Sequence, residues 1–179
     1  MNRGFWETQT PASALGQEAL AFSVAHPYLK FTWLRLIVSD FESIREDFAS
    51  LPDWEDRYRY VIELGQTLEP LSDEAHNDAN KVRGCVSQVW LETERRGNGD
   101  GETLLHYRGD SDSHLVRGLI AIAIALFSDQ TPQRILEMDA LNAFRSLGLE
   151  QHLTPQRSNG VRAMIERMRA DAGAAMAAA

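Results

Sequence analysis

The chain has 179 residues, of which 44% are hydrophobic, so it is long and apolar enough to bury the core of one domain. Its formal net charge of −8 argues against a nucleic-acid-binding surface, because such surfaces carry clustered basic side chains. A single cysteine, Cys85, excludes an internal disulfide and any site built from several thiolates, and the five histidines show no metal-ligand spacing.

The first 38 residues differ in composition from the rest of the chain. Their apolar run, HPYLKFTWLRLIV, is interrupted by Lys30 and Arg35 and is too short to span a membrane. It also lacks the continuous apolar region and the cleavage site of a secretory signal peptide. We therefore predict a poorly ordered extension over residues 1–38, a folded domain over 39–172, and a cytoplasmic protein without membrane contact.

Two helices open the predicted domain. Ser39 followed by Glu42 has the form of a capping box, and Pro52 fits the first turn of a second helix. Apolar residues recur behind both signals at helical spacing: Phe41, Ile44 and Phe48 in the first helix, and Trp54, Tyr58, Val61, Ile62 and Leu68 in the second.

The middle of the chain predicts a β-hairpin followed by a buried helix. Strands over 86–94 and 102–108 are joined by the glycine-rich turn sequence NGDG. The stretch 115–127 is apolar nearly all round, which is typical of a helix packed against a sheet. Together these elements predict an α+β fold, with a small antiparallel sheet packed against helices.

Three shorter signals predict the C-terminal helices. Thr131 and Pro132 open a short helix, Asp139 to Leu147 forms another, and the last runs from Ser158 to about Ala172. The alanine-rich residues 173–179 are expected to form a frayed tail.

Cys85 stands directly after Gly84, between a polar stretch and the first predicted strand. At such a junction the sulfur can project from a loop tip as a nucleophile, or it can be buried as a small hydrophobe. The only lysines are Lys30 and Lys81, and no phosphate-binding loop accompanies Lys81. The chain is therefore not expected to hold pyridoxal phosphate, which requires a Schiff-base lysine.

Three segments carry a resemblance to a known family. They read RGCVSQVWL, then YRGDSDSHLVRGLIAIAIALFSDQTPQRI, then LEQHLTPQRSNGVRAMIERMRA, in that order. With this spacing the chain resembles the SufE/CsdE family of sulfur-acceptor proteins from about Asp40 to Ala170. The resemblance implies a fold similar to that of the iron–sulfur scaffold IscU, whose several ligand cysteines this chain lacks.

The resemblance also implies a function. Family members take sulfur from the active-site persulfide of a SufS- or CsdA-type cysteine desulfurase, stimulate that enzyme, and pass the sulfur to a SufBCD-type scaffold. The acceptor cysteine of the motif falls on Cys85. The chain is then an accessory protein without a cofactor of its own, because the pyridoxal phosphate belongs to the desulfurase. A monomer or a weak homodimer is expected.

Neighbouring residues are expected to support the acceptor loop. Arg83 could favour the thiolate of Cys85, while Gly84 and Val86 could tuck the loop tip inward against the body, where family structures place it. Gln88 belongs to the cysteine motif and could orient or pack the strand.

Two acidic residues and one arginine complete the candidate set. The resemblance suggests that the turn holding Asp110 and Asp112 restrains the acceptor loop near the partner-facing surface. A capping role at the next helix is the alternative for this turn. Arg157 matches a family arginine and could pair with the acidic turn or with the partner.

Two other functions are compatible with a lone cysteine. One is a cysteine hydrolase that uses Cys85 as nucleophile and His76, His106 or His152 as base. The other is a regulatory interaction module of a desulfurase, in which the cysteine is incidental.

Overall fold

The computed structural model describes residues 40–99 and 101–178. The predicted extension over residues 1–38 lies outside these ranges. The helices are α1 (Phe41–Ser50), α2 (Trp54–Gln66), α3 (His114–Phe127), α4 (Pro132–Glu137), α5 (Ala140–Ser146) and α6 (Pro155–Ala177). The strands are β1 (Val89–Gly97) and β2 (Thr103–Ser111), and short 3-10 turns occupy Asp73–Ala75 and Leu149–His152.

Aspartates cap the first two helices. The carboxylate of Asp40 accepts the backbone N–H of Ser43 at 2.8 Å, so Asp40 is the N-cap of α1. The predicted cap, Ser39, lies outside the described residues. Asp53 caps α2, and Pro52 therefore precedes the helix instead of standing in its first turn as expected. Aspartate is favoured at this position because its carboxylate accepts an otherwise unpaired N–H of the first turn, which a proline side chain cannot do.

The two strands pair antiparallel, from Val89 opposite Ser111 to Gly97 opposite Thr103. Both strands end three residues later than the sequence predicted. The predicted turn sequence does connect them: the Asn98 side chain accepts the N–H of Glu102 at 2.8 Å, and Gly101 has a φ of +86°. The predicted α+β class, with a small antiparallel sheet packed against helices, is confirmed.

Helix α3 forms the centre of the core, as its apolar sequence predicted. Leu119, Ile120 and Ile122 are all but fully buried against β2 and α2. Gly118 permits the close crossing of α2 and α3, since a Cβ atom there would overlap the carbonyl oxygen of Val61. Across the core, the buried Tyr107 hydroxyl of β2 donates to the Met168 carbonyl of α6 at 2.9 Å.

The last helix is longer than predicted at both ends. It begins at Pro155 with Thr154 as its cap, and it continues to Ala177. The expected frayed tail over 173–179 is therefore wrong for residues 173–177. Ala172 and Ala175 are buried on the face of α6 that also holds Met168, so small side chains continue the core contact there. No helix in the described ranges has the length and apolarity needed to cross a membrane.

Candidate functional site

The lone cysteine lies in a short loop, residues 83–88, which we call the cysteine loop. Its base is closed by backbone pairing: the N–H of Val82 donates to the Val89 carbonyl at 2.9 Å, and that of Leu91 donates to Asn80 at 2.7 Å. Val82 and Val89 are both buried. The loop is thus the tip of a short hairpin whose two ends are fixed in the core.

Gly84 sets the direction of the loop. Its φ of +93° lies in the region that favours glycine, and the chain reverses there. The next side chain, Cys85, points toward the body of the protein, and the following one, Val86, points to solvent with 78% of its surface exposed. The loop tip is thus turned inward at Cys85, as expected, while the Val86 side chain itself faces solvent.

The Cys85 side chain is half-buried between α3 and α6. Its Sγ donates a long hydrogen bond of 3.6 Å to the carbonyl of Gly160. A Cβ atom on Gly160 would come within 3.2 Å of this sulfur, so the close approach depends on glycine at that position. Beside the sulfur lies a cavity of about 30 Å³ whose apolar lining is Val116, Leu119, Val161 and Met164.

Burial raises the pKa of the Cys85 thiol above its ordinary value. A thiol in apolar surroundings is harder to ionise because the thiolate loses its hydration. The Arg83 side chain is exposed, whereas the Cys85 thiol faces inward. Burial accounts for the raised pKa of the thiol, and Arg83 does not lower it. In this arrangement Cys85 is a sheltered thiol of low nucleophilicity at neutral pH.

The C-terminal end of the cysteine loop is held by Asp112. The Asp112 carboxylate accepts the backbone N–H of Gln88 at 3.0 Å, and the Asp112 N–H donates to the Gln88 carbonyl at 3.4 Å. The Gln88 side chain itself is exposed. Helix capping belongs to the next residue, Ser113, whose hydroxyl accepts the N–H of Val116. Loop contact and helix cap, which the sequence left as alternatives, are thus divided between two adjacent residues.

Asp110 belongs to a different network of polar contacts, at the end of β2 where it pairs with Trp90 of β1. Its carboxylate contacts Nε2 of His76 and Nη1 of Arg117, both at 3.1 Å. The His76 ring packs edge-on against Trp90, with ring centroids 4.8 Å apart. The hydrogen bond to Asp110 is the main cause that raises the pKa of His76. Sequence reasoning missed Arg117 as a partner of this turn, although a charged residue in an otherwise apolar helix was a usable signal.

Arg157 lies in the first turn of α6 and lines the cavity beside Cys85. The two aspartates of the acidic turn have other partners. Asp110 pairs with Arg117, and Asp112 binds the backbone of the cysteine loop. Within the part of the chain that the structure describes, Arg157 makes no ion pair with either aspartate. Gly160, one turn further along α6, was also missed from the sequence, because its contact with Cys85 joins positions 75 residues apart.

Comparison with known proteins identifies the family. Residues 42–172 match SufE, described as an Fe-S metabolism associated domain. The chain belongs to the SufE family. An uncharacterized SufE-like protein of Rhizobium meliloti strain 1021 is 47% identical over 135 residues, 75% of this chain and 96% of that protein. A SufE-like protein of Rhizobium etli, also uncharacterized, is 46% identical over 138 residues, 77% of this chain and 93% of its own.

A solved structure supports the fold of this SufE-family chain. The solution structure of a hypothetical protein from Thermus thermophilus matches with a TM-score of 0.62 at 20% identity, covering 76% of this chain and 96% of that one. Family membership confirms the resemblance seen in the three sequence segments and places the protein in Fe–S metabolism. The cysteine loop, the acidic turn and most of α6 all fall within the matched residues.

The three histidines considered as hydrolase bases are engaged away from the SufE-family cysteine. His76 contacts Asp110, and His106 contacts Asp129 at 3.0 Å. The His152 ring stacks on Trp54 with centroids 3.7 Å apart. The polar contact of Cys85 is instead a backbone carbonyl, which cannot act as a general base. The arrangement does not favour the hydrolase.

Proposed function

We propose that Cys85 accepts a sulfur atom from the persulfide of a partner cysteine desulfurase and delivers it to an iron–sulfur cluster scaffold. The observation that carries the proposal is the position of the only cysteine. It lies in a loop anchored at both ends, with its thiol turned into an apolar cavity. Membership of a family in Fe–S metabolism supports a sulfur carrier over other uses of a lone thiol.

The transfer is an exchange between sulfur centres. The Cys85 thiolate attacks the terminal sulfur of the donor persulfide, a new S–S bond forms on Cys85, and the S–S bond of the donor breaks. The donor cysteine leaves as a thiolate, and Cys85 becomes a persulfide that carries the sulfane sulfur. No outside oxidant or reductant is needed, because the oxidation level moves together with the transferred sulfur.

The sheltered position of Cys85 fits a carrier that must not react indiscriminately. Burial raises the pKa of the thiol, so the resting protein is a poor target for oxidants and stray electrophiles. Productive transfer then requires the cysteine loop to turn its sulfur outward at the desulfurase. We propose that Arg83, which is exposed, and Arg157, which lines the cavity, then supply positive charge near the negative persulfide.

The proposed partners follow from the family. The donor is a desulfurase of the SufS or CsdA type, which supplies the pyridoxal phosphate, and the recipient is a SufBCD-type scaffold. This chain acts as an accessory protein without its own cofactor, as a monomer or a weak homodimer, in the cytoplasm. Nucleic acid and membranes are not among the proposed partners.

Stimulation of a desulfurase tests the proposal in solution. With cysteine as substrate and a thiol reductant present to release the carried sulfur as sulfide, the wild-type chain should increase the rate of alanine formation by a SufS-type enzyme. Removal of the persulfide frees the enzyme for another turnover. Cys85→Ser should abolish the increase while it still binds the enzyme. Full stimulation by Cys85→Ser would instead support a regulatory module with an incidental cysteine, and the carrier proposal would be rejected.

A further inference from the structure

Val86 is an unusual residue for the surface of this protein. With 78% of its surface exposed, it is the most exposed large hydrophobic residue in the described ranges, well beyond Met176 at 48%. It directly follows Cys85, whose side chain is turned inward. Exposed apolar residues cost little when isolated, but this one stands at the mouth of the cavity that holds the reactive sulfur.

Burial alternates along this part of the chain. Cys85 and Ser87 are partly buried, Val86 and Gln88 are exposed, and Val89 is buried. Although residues 83–88 form turns and bends and not a strand, Cys85 faces the body while the adjacent Val86 faces solvent. A half-turn of residues 84–87 would therefore carry Cys85 outward and Val86 inward together.

The two ends of the segment are fixed in a way that favours rotation over complete detachment. Backbone pairing of Val82 with Val89 holds the hairpin base, and Asp112 holds Gln88. Gly84, with its φ of +93°, supplies the backbone freedom at the other end. The residues between these anchors are few, so exposure of Cys85 and entry of Val86 are geometrically coupled.

The cavity suits a valine side chain. Its walls are the apolar side chains of Val116, Leu119, Val161 and Met164, and about 30 Å³ of space remains beside the Cys85 sulfur. A water molecule needs roughly 10–15 Å³ by the same measure, so the space is large enough for an additional methyl group. The valine side chain has one more non-hydrogen atom than that of cysteine, so it needs about one methyl group of additional space.

We propose that Val86 is a positioning residue that takes the place of Cys85 in the cavity when the thiol turns outward. Burial of its methyl groups offsets the loss of the cysteine contacts, so that the outward state is populated without an empty apolar cavity. The purpose of the exchange rests on the proposed sulfur-acceptor function. The exchange itself is a property of the free protein and needs no partner.

Alkylation of Cys85 in the free, full-length protein tests the exchange. We expect Val86→Thr, which keeps the shape but replaces one methyl group with a hydroxyl, to slow alkylation roughly ten-fold, because the polar group disfavours the inward position. Val86→Ile should restore a rate within about three-fold of wild type, since its extra methylene fits the spare space. Met176→Thr removes another exposed apolar side chain far along α6 and should leave the rate unchanged.

Three results would overturn the exchange. They are a wild-type alkylation rate in Val86→Thr, a faster rate in that variant, or equal slowing in Met176→Thr. Equal melting temperatures of the four proteins would show that fold loss does not account for any difference. A residue that only contacts the desulfurase would raise the KM for the chain in the stimulation assay without changing alkylation, and that pattern also rejects the exchange.

The exchange of Val86 and Cys85 and the proposed sulfur-acceptor function can each fail independently. If alkylation is unaffected by Val86→Thr while Cys85 still gains sulfur from a desulfurase, the exchange fails and the acceptor role stands. If alkylation slows as expected but Cys85 gains no sulfur, the exchange stands and the acceptor role fails.

Discussion

At the scale of single residues, Asp112 ties the candidate site to the body of the protein. Its paired hydrogen bonds to the Gln88 backbone, at 3.0 and 3.4 Å, hold the end of the cysteine loop. A hydrogen bond of this kind contributes about 0.5–1.5 kcal/mol, which is small beside the stability of a domain. The same amount is enough to change the population of an opened loop several-fold.

Replacement of Asp112 should therefore expose the cysteine. We expect Asp112→Arg to accelerate alkylation of Cys85 about five-fold relative to wild type, with little change in melting temperature. Asp112→Asn is the matched control, because its side-chain oxygen can still accept the Gln88 N–H, and its rate should stay near that of wild type. An unchanged rate in Asp112→Arg would show that this bond does not restrain the loop.

We expect the contact between His76 and Asp110 to make the stability of the folded protein depend on pH. Its pKa is raised mainly by the hydrogen bond to Asp110, with the nearby Asp73 adding attraction. The folded state therefore favours the protonated imidazole. The resulting stability is fully present below the ordinary pKa of 6.5 and is lost as the pH rises through the higher folded-state value.

Urea unfolding of the wild type and of His76→Asn at pH 5.5 and pH 8 measures this contribution. The free energy of unfolding should differ more between the two proteins at pH 5.5 than at pH 8. Other titrating groups cancel in this difference, because both proteins contain them. A difference that is equal at both pH values would mean that the contact with Asp110 is not linked to the protonation of His76.

At the scale of secondary-structure elements, helix α6 forms one wall of the cysteine cavity through Gly160. A Cβ atom there would lie 3.2 Å from the Cys85 sulfur and 3.8 Å from its Cβ. A contact of 3.2 Å is tighter than ordinary van der Waals packing, so the Cys85 sulfur would have to give way by a few tenths of an ångström. The glycine thus sets how deeply Cys85 is buried.

Gly160→Ala should displace the thiol outward and accelerate its alkylation several-fold. The helix itself should not lose stability, because alanine is favoured over glycine in a helix interior by about 1 kcal/mol. Gly173→Ala is the control on the same helix: a Cβ atom there meets nothing within 4 Å. The control should gain stability and keep the wild-type alkylation rate. Equal rates in both variants would contradict the role of Gly160.

At the scale of the whole molecule, the sequence predicted the fold class, the order of elements and the buried helix α3. Local signals were sufficient there, because helix caps, hairpin turns and apolar periodicity are encoded by neighbouring residues. The end of α6 was missed since alanine carries little hydrophobic signal, although Ala172 and Ala175 are buried. Whether an alanine contributes to the core depends on which residues pack against it.

The candidate site was predictable where its features are encoded by residues that are neighbours in the sequence. The motif pointed to Cys85, and the acidic turn was expected near its loop. The resemblance led us to expect the inward loop tip. The outward Val86 and the contact of Cys85 with Gly160 could not be read from the sequence, because they arise where α6 packs beside the loop. Whether Cys85 carries sulfur stays a prediction that depends on a chemical measurement.

The most direct measurement is the intact mass of the full-length chain after incubation with a SufS-type desulfurase, pyridoxal phosphate and cysteine. We predict an increase of about 32 mass units for each sulfur atom gained by the wild type, reversed by a thiol reductant. Cys85→Ser should show no increase under the same conditions. An adduct of equal size on Cys85→Ser, or none on the wild type while the desulfurase turns over, would contradict the assignment of Cys85 as the sulfur acceptor.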